Sequence, residues 1–172
     1  MTNILITGIP GIGKTTIIRK ISRELKEYNP AGFYTAEIRE RGIRKGFKLI
    51  SLEGEKSLLS HVAIESPYQV SKYGVDISAF ENFLDSVNFE DPSHKCIIID
   101  EIGKMELIYH KFKNLLKNLL NSDKLLIATI ALKGKGIIQD IKNREDVKLF
   151  KITKSNRDRL SAKKFLLNNI EA

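Results

Sequence analysis

The 172-residue sequence has a single cysteine, Cys96, so no intrachain disulfide can form and no cysteine cluster can hold a structural metal. Cys96 lies in the apolar run Cys96-Ile97-Ile98-Ile99 and reads as a small buried hydrophobe rather than a reactive thiol. Histidine is also scarce. His61, His94 and His110 are scattered without metal-ligand spacing, so each reads as an ordinary surface or core residue. No apolar stretch approaches the ~18 residues of a membrane span, and Met1-Thr2-Asn3-Ile4-Leu5-Ile6 has no basic segment ahead of its apolar run. These absences predict a protein of the reducing cytoplasm with no membrane partner. Repeats, low-complexity tracts and interdomain linkers are missing too, so residues 1–172 are expected to form one domain. With 42% hydrophobic and 29% charged residues, wholesale disorder, collagen-like repeats and disulfide scaffolds are excluded.

Acidic residues are outnumbered, 21 against 29 basic, for a net charge of +8. That excess suits polyanionic partners, phosphorylated substrates or a solubilising surface, and does not choose among them.

Apolar runs of strand length alternate with segments of helical period, the pattern of an α/β domain. Residues 3–7 predict a buried strand. After the glycine-rich residues 8–13, Ile17, Ile18, Ile21 and Leu25 fall on one face of a helix that Asn29-Pro30-Ala31-Gly32 ends. Residues 33–39 and 46–52 predict an antiparallel hairpin turning at Arg41-Gly42, and residues 56–64 a further strand. Ser78-Ala79-Phe80-Glu81 reads as a capping box, with Ser78 at the N-cap of a helix carrying Phe80, Phe83, Leu84 and Val87. A strand at 95–99 and a helix with Phe112, Leu115, Leu116, Leu119 and Leu120 follow. Residues 125–130 and 147–153 predict two more core strands around a short helix at 137–142. Ser155-Asn156-Arg157-Asp158 reads as the cap of a terminal helix with Leu160, Phe165 and Leu167, and Asn156 as a turn or cap residue.

Gly8-Ile9-Pro10-Gly11-Ile12-Gly13-Lys14-Thr15 fits the G-x-x-x-x-G-K-[ST] pattern between a buried strand and a helix, the context a P-loop requires. Its backbone N–H groups can wrap a di- or triphosphate at the positive end of the helix. Lys14 would hold the β- and γ-phosphates, Thr15 would coordinate Mg²⁺, and Thr16 completes the nucleotide-binding run. Cys96-Ile97-Ile98-Ile99-Asp100-Glu101 is an apolar strand ending in two acids. Asp100 is expected to support the metal, and Glu101 to orient a water for in-line attack on the γ-phosphate. The expected fold is a three-layer α/β P-loop NTPase domain, with a mainly parallel central sheet and an antiparallel hairpin extension.

Over nearly its whole length the chain resembles the nucleoside-triphosphatases of the THEP type. The likeness rests on the P-loop, on Gly32-Phe33-Tyr34-Thr35-Ala36-Glu37-Ile38-Arg39-Glu40 and Arg44-Lys45-Gly46-Phe47, on Asp100-Glu101-Ile102-Gly103-Lys104-Met105-Glu106-Leu107, and on Asn156-Arg157-Asp158. One position departs from the family: Ser71, ahead of Lys72-Tyr73-Gly74-Val75, stands where glycine is usual. The resemblance implies Mg²⁺-dependent hydrolysis of nucleoside triphosphates, ATP and GTP among them, to diphosphate and phosphate with broad tolerance of the base.

Several residues keep two readings. Arg39, Arg41, Arg44, Lys45 and Lys48 form either a solvated hairpin or, with Arg44 and Arg39 preferred, a phosphate clamp, and nucleic-acid contact is a third use for them. Arg157 opens a predicted helix, where a cation is disfavoured unless an anion is near. The resemblance, in which this motif lies toward the C-terminal side of the sheet, implies that Arg157 touches nucleotide or transition-state charge; the other reading pairs it with Asp158 or another surface acid. Lys104 and Glu106 either ring the Glu101 site or pair with each other, and Tyr34 and Tyr73 either stack on a base or pack. Two rival functions remain open, a small-molecule kinase that transfers the γ-phosphate to an acceptor and an NTP-gated nucleic-acid switch. No recognisable nucleic-acid motif supports the latter. A monomer acting on nucleoside triphosphates, without a nucleic-acid partner, is the expected working form.

Overall fold

The first strand is short and wholly buried: Asn3–Thr7 (β1) presents Ile4 and Ile6 to one face of a sheet and Leu5 to the other, as the two-residue period of a strand dictates. A computed structural model describes residues 3–159. In chain order the elements after β1 are α1 (Lys14–Glu24), β2 (Ala31–Glu40), β3 (Ile43–Ser51), β4 (Lys56–His61), β5 (Gln69–Val70), β6 (Tyr73–Val75), α2 (Ile77–Ser86), β7 (Cys96–Ile102), α3 (His110–Leu120), β8 (Leu125–Ile130), α4 (Ile137–Lys142) and β9 (Val147–Lys151). Short 3₁₀ turns cover Lys26–Tyr28, Glu106–Ile108 and Arg157–Arg159.

Among the described residues one nine-stranded sheet runs in the order β5-β6-β4-β3-β2-β7-β8-β1-β9. The pairings β2·β7, β7·β8, β8·β1 and β1·β9 are parallel, and those from β2 outward to β5 are antiparallel. β2 joins the two halves. Its first residues, Ala31 to Phe33, lie parallel to Ile97 to Ile99, and the rest of it pairs with β3. Gly32 makes the junction possible: at φ +135° its backbone runs so close to β7 that a Cβ would lie 1.8 Å from the Ile98 carbonyl oxygen. Phe33 then locks β2 in place, with ring centroids 5.6–6.5 Å from Phe80, Phe83, Phe89 and Phe112.

One face of the sheet is covered by α1, whose Ile17, Ile18 and Ile21 pack with Ile4, Ile6, Ile98 and Ile127. Eleven residues make a marginal helix in water, so this packing, about 1.5–3 kcal/mol per buried aliphatic side chain, is what holds it. The other face carries α2, α3 and α4 through Phe80, Leu84, Phe112, Leu116, Ile138 and Ile141. The three-layer α/β reading and the antiparallel extension from a mixed, mostly parallel central sheet are therefore correct. Cys96 is fully buried, and burial pushes its thiol pKa up to about 12, as expected of an inert hydrophobe. Among the described residues no helix is long and apolar enough to cross a membrane.

Several sequence expectations need correction. The N-cap of α2 is Asp76, not Ser78: Ala79 N–H donates to Asp76 Oδ1 at 2.9 Å, and Ser78 falls inside the first turn. β6 ends at Val75 and delivers Asp76 to that point, where its charge also suits the helix dipole. β7 does not stop at Ile99 but continues to Ile102, so both acids lie within the strand. β9 is an edge strand whose side chains are half-buried or exposed rather than a core strand, and the strand predicted at 56–64 ends at His61. β5 and β6, of two and three residues, are too short to leave a periodic signal. They are joined by the two-residue turn Ser71-Lys72, in which Ser71 takes φ +59°. A hairpin turn of this length uses positive φ at its first position, a conformation that favours glycine over serine. The terminal helix expected with Leu160, Phe165 and Leu167 lies outside the described residues.

Candidate active site

The loop Gly8 to Gly13 leaves β1 at the carboxyl end of the parallel strands and feeds α1 at Lys14. Gly11 and Gly13 take positive φ, and the first N–H groups of α1 have no partner within the helix, so they face the loop's concavity. Lys14 Nζ donates to the Gly8 carbonyl oxygen at 3.4 Å and lies 3.3 Å from Glu101 Oε2. The P-loop lysine and the second acid of β7 thus meet across the head of the loop.

Asp100 is 1% exposed, a costly position for a carboxylate unless its oxygens are satisfied. Three hydroxyls do this. Thr15 Oγ1 donates to Oδ2 at 2.6 Å, Thr129 Oγ1 to Oδ1 at 2.5 Å and Thr35 Oγ1 to Oδ2 at 3.3 Å. They come from α1, β8 and β2, so one carboxylate ties three elements together. The β7·β8 register shifts between Ile99 and Ile102, and this irregularity frees both acids from the regular ladder. A threonine hydroxyl beside a carboxylate is a hard-oxygen pair of the kind Mg²⁺ takes while keeping several of its waters, so Thr15 and Asp100 fit that ion.

Glu101, Lys14, Thr15 and the loop residues Pro10, Gly11 and Gly13 line an open cleft of about 560 Å³. Arg19, Tyr34, Thr35, Glu37, Arg44 and Phe47 form its other walls. Such a volume accommodates a small ligand of triphosphate size.

The sequence matches the NTPase family over residues 3–164. The chain belongs to this family. It is 45% identical over 158 residues to the nucleoside-triphosphatase THEP1 of Thermotoga sp. (strain RQ2), covering 91% of this chain and 90% of that one. With the cancer-related nucleoside-triphosphatase of Homo sapiens it shares 38% identity over 92% of each chain. The crystal structure of THEP1 from the hyperthermophile Aquifex aeolicus superposes with a TM-score of 0.82 at 33% identity, over 98% of this chain and 96% of that one.

Within this NTPase framework most of the expected residues meet, and one does not. Gly8, Ile9, Pro10, Gly11, Ile12, Gly13, Lys14, Thr15 and Thr16 form the loop and the first turn of α1, with Asp100 and Glu101 facing Lys14 and Thr15. Arg44 lines the cleft from β3. Arg157 lines a different recess from Glu101, with Ile12, Gly13, Thr16, Ile17, Lys20 and Asp158. Its Nε lies 3.6 Å from Asp158 Oδ1, so the structure places it beside the start of α1 rather than among the residues around Glu101. Asn156 serves the turn after β9, accepting from Thr153 N–H and donating to the Lys151 carbonyl oxygen.

Lys104 is exposed, whereas Glu106 is buried and turns back on its own backbone. Burial, reinforced by the charges of Glu101 and Asp100 and partly offset by hydrogen bonds from the Glu106 and Gly103 N–H groups, pushes the Glu106 pKa up to about 8. Gly103 lets the two glutamates approach: a Cβ there would sit 2.9 Å from Glu106 Oε2 and 3.0 Å from Glu101 Oε1. Beyond them lies a second recess of about 320 Å³, walled by Phe47, Leu59, Val70 and Met105. Tyr73 packs edge-on against Phe47 at 5.4 Å, and Tyr34 carries the Arg19 guanidinium 4.8 Å above its ring.

The sequence reading misses Thr129 and Thr35 as partners of Asp100, and Glu37 as a wall of the cleft. Thr129 does leave a signal, being a hydroxyl in the otherwise apolar run Leu125–Ile130, where a buried polar group needs a partner.

Proposed function

We propose that the protein hydrolyses nucleoside 5′-triphosphates to diphosphate and phosphate with Mg²⁺ as cofactor and with little discrimination between bases. The observation that carries this reading is the convergence of Lys14, Thr15 and Glu101 on one cleft at the P-loop, with Asp100 buried behind Thr15 and bonded to it. The loop N–H groups and Lys14 bind the β- and γ-phosphates. Thr15 and Asp100 would hold Mg²⁺, which supplies charge neutralisation at the transferring group. Glu101 accepts the proton of the attacking water, and Arg44 reaches the γ-phosphate from the hairpin. Thr16 and Arg157 face the α-phosphate and base side. That recess combines apolar Ile12 and Ile17 with the cations of Lys20 and Arg157, which suits the π-face of any base.

The recess beyond Glu101 is the one observation that favours a phosphoryl acceptor other than water. Both readings are tested by measuring phosphate release and nucleotide consumption together, for each nucleoside triphosphate, with Mg²⁺ or with chelator, and with small hydroxylated acceptors or RNA added. The hydrolase reading predicts equal rates of the two, loss on chelation, similar rates across bases and no stimulation by RNA. Consumption that outruns phosphate release when an acceptor is present would establish a kinase instead.

A further inference from the structure

Three charged side chains of the β2–β3 hairpin form a connected group whose members do not all face the cleft. Glu37 receives two arginines. Arg39 donates to Oε2 from Nε at 2.7 Å and lies 2.6 Å from it through Nη2, while Arg44 Nη1 donates to Oε1 at 2.8 Å. Arg39 is anchored at its far end as well, with Nη1 donating to the Gly42 carbonyl oxygen at 2.7 Å across the turn. Arg44 has a second hold of a different kind. Its Nε donates to the Tyr73 hydroxyl at 3.0 Å, and its guanidinium lies 5.1 Å from the Phe47 ring centroid and 5.8 Å from that of Tyr73.

In the strand register Arg39 stands opposite Arg44, an arrangement of like charges that is unfavourable unless an anion lies between them. Glu37 is that anion. Hydrogen bonds from Arg44 and Arg39 hold its carboxyl below the usual carboxylate range, so it is ionised at neutral pH. The trio therefore carries one net positive charge. Arg39 alone suffices to pair Glu37, and the Arg44 contact is a surface ion pair of side chains 44% and 37% exposed, which is cheap to break. Glu37 and Arg44 line the triphosphate cleft.

We infer that Arg39 is a positioning residue: by keeping Glu37 neutralised, it leaves Arg44 free to swing about Tyr73 from Glu37 to the γ-phosphate of the bound nucleotide. This rests on the reading of Arg44 as a phosphate clamp. Without Arg39 the Glu37 carboxylate has Arg44 as its sole partner among the described residues, so it either retains Arg44 or, when Arg44 leaves, stands as an unpaired negative charge in a site that must accept a polyanion.

The test is Arg39→Gln, Glu37→Gln and their combination, each assayed for hydrolysis and for binding of a non-hydrolysable triphosphate and of the diphosphate. Arg39→Gln should lower kcat/KM and triphosphate affinity about tenfold, the scale of one charge-assisted hydrogen bond, and leave diphosphate affinity within about twofold. Adding Glu37→Gln should restore both quantities, because the competing carboxylate is gone. A loss shared equally by diphosphate, or one that Glu37→Gln fails to rescue, would assign Arg39 a merely structural part in the hairpin and overturn the inference. Arg44→Ala separates this from the underlying reading. If it hydrolyses triphosphate at the parental rate, the clamp itself is wrong; if it is impaired while Arg39→Gln behaves as the parent, only the positioning role fails.

Discussion

Glu106→Gln removes a buried acid while keeping an oxygen to accept from the Gly103 and Glu106 N–H groups. In the folded protein the carboxyl titrates near 8, against an ordinary value of 4.5. Below about pH 4.5 the group is protonated in both states and costs nothing. As pH rises from there toward 8, the unfolded chain releases this proton and the folded protein keeps it, so the unfolded state binds fewer protons and stability falls. Above about pH 8 the loss is complete. At roughly 1.4 kcal/mol per pH unit, the ceiling over this window is on the order of 5 kcal/mol. For a protein of this length each kcal/mol moves Tm by roughly 2–4 °C. Thermal unfolding of parent and Glu106→Gln, followed at pH 5, 7 and 8.5, should show Tm curves that diverge by several degrees, with the variant the more stable at alkaline pH. Curves that stay parallel from pH 5 to 8.5 would refute the argument, since they would mean that Glu106 is ionised in the folded protein.

Lys14→Ala should abolish most turnover while the melting temperature changes little, because the ammonium neutralises the β- and γ-phosphates whereas the packing of α1 is carried by Ile17, Ile18 and Ile21; phosphate release and a melting curve on one preparation check it. Asp100→Asn should raise the Mg²⁺ concentration needed for half-maximal hydrolysis by tenfold or more, an effect about the size of losing one charged ligand contact, and an unchanged Mg²⁺ titration would remove Asp100 from the metal site. Gly32→Ala should destabilise the protein by about 3 kcal/mol or more, because the new Cβ meets the Ile98 backbone. Urea unfolding that matches the parent would show that β2 can move away from β7 at no cost.

What is legible in the sequence is what is local. The Gly8 to Thr15 pattern between a buried strand and an amphipathic helix fixes the loop, and the apolar run into Asp100 and Glu101 fixes the neighbouring strand. Of the partners of Asp100, Thr15 is legible through the expected metal, whereas Thr35 and Thr129 lie 65 and 29 residues away in the chain and meet it only because β2 and β8 flank β7 in the sheet. Glu37 reads as one charge among many on a hairpin. Its place in the cleft follows from the junction at Gly32, where one strand changes from parallel to antiparallel neighbours. Two good capping residues, Asp76 and Ser78, stand two positions apart, and propensity alone does not separate them. The end of β6 decides between them. Arg157 is singled out by a helix-dipole argument that carries no information about which recess it will line.

The central claim is that Glu101 acts on the attacking water while the P-loop and Asp100 hold the nucleotide. Its most direct test is Glu101→Gln under single-turnover conditions, with Mg²⁺-nucleotide affinity measured on the same preparation. The amide keeps the shape of the side chain beside Lys14 but accepts no proton, so phosphate release should fall by an amount on the order of 10² or more while affinity stays near that of the parent. Loss of nucleotide binding with an undiminished rate per bound nucleotide would contradict the claim and make Glu101 a binding residue.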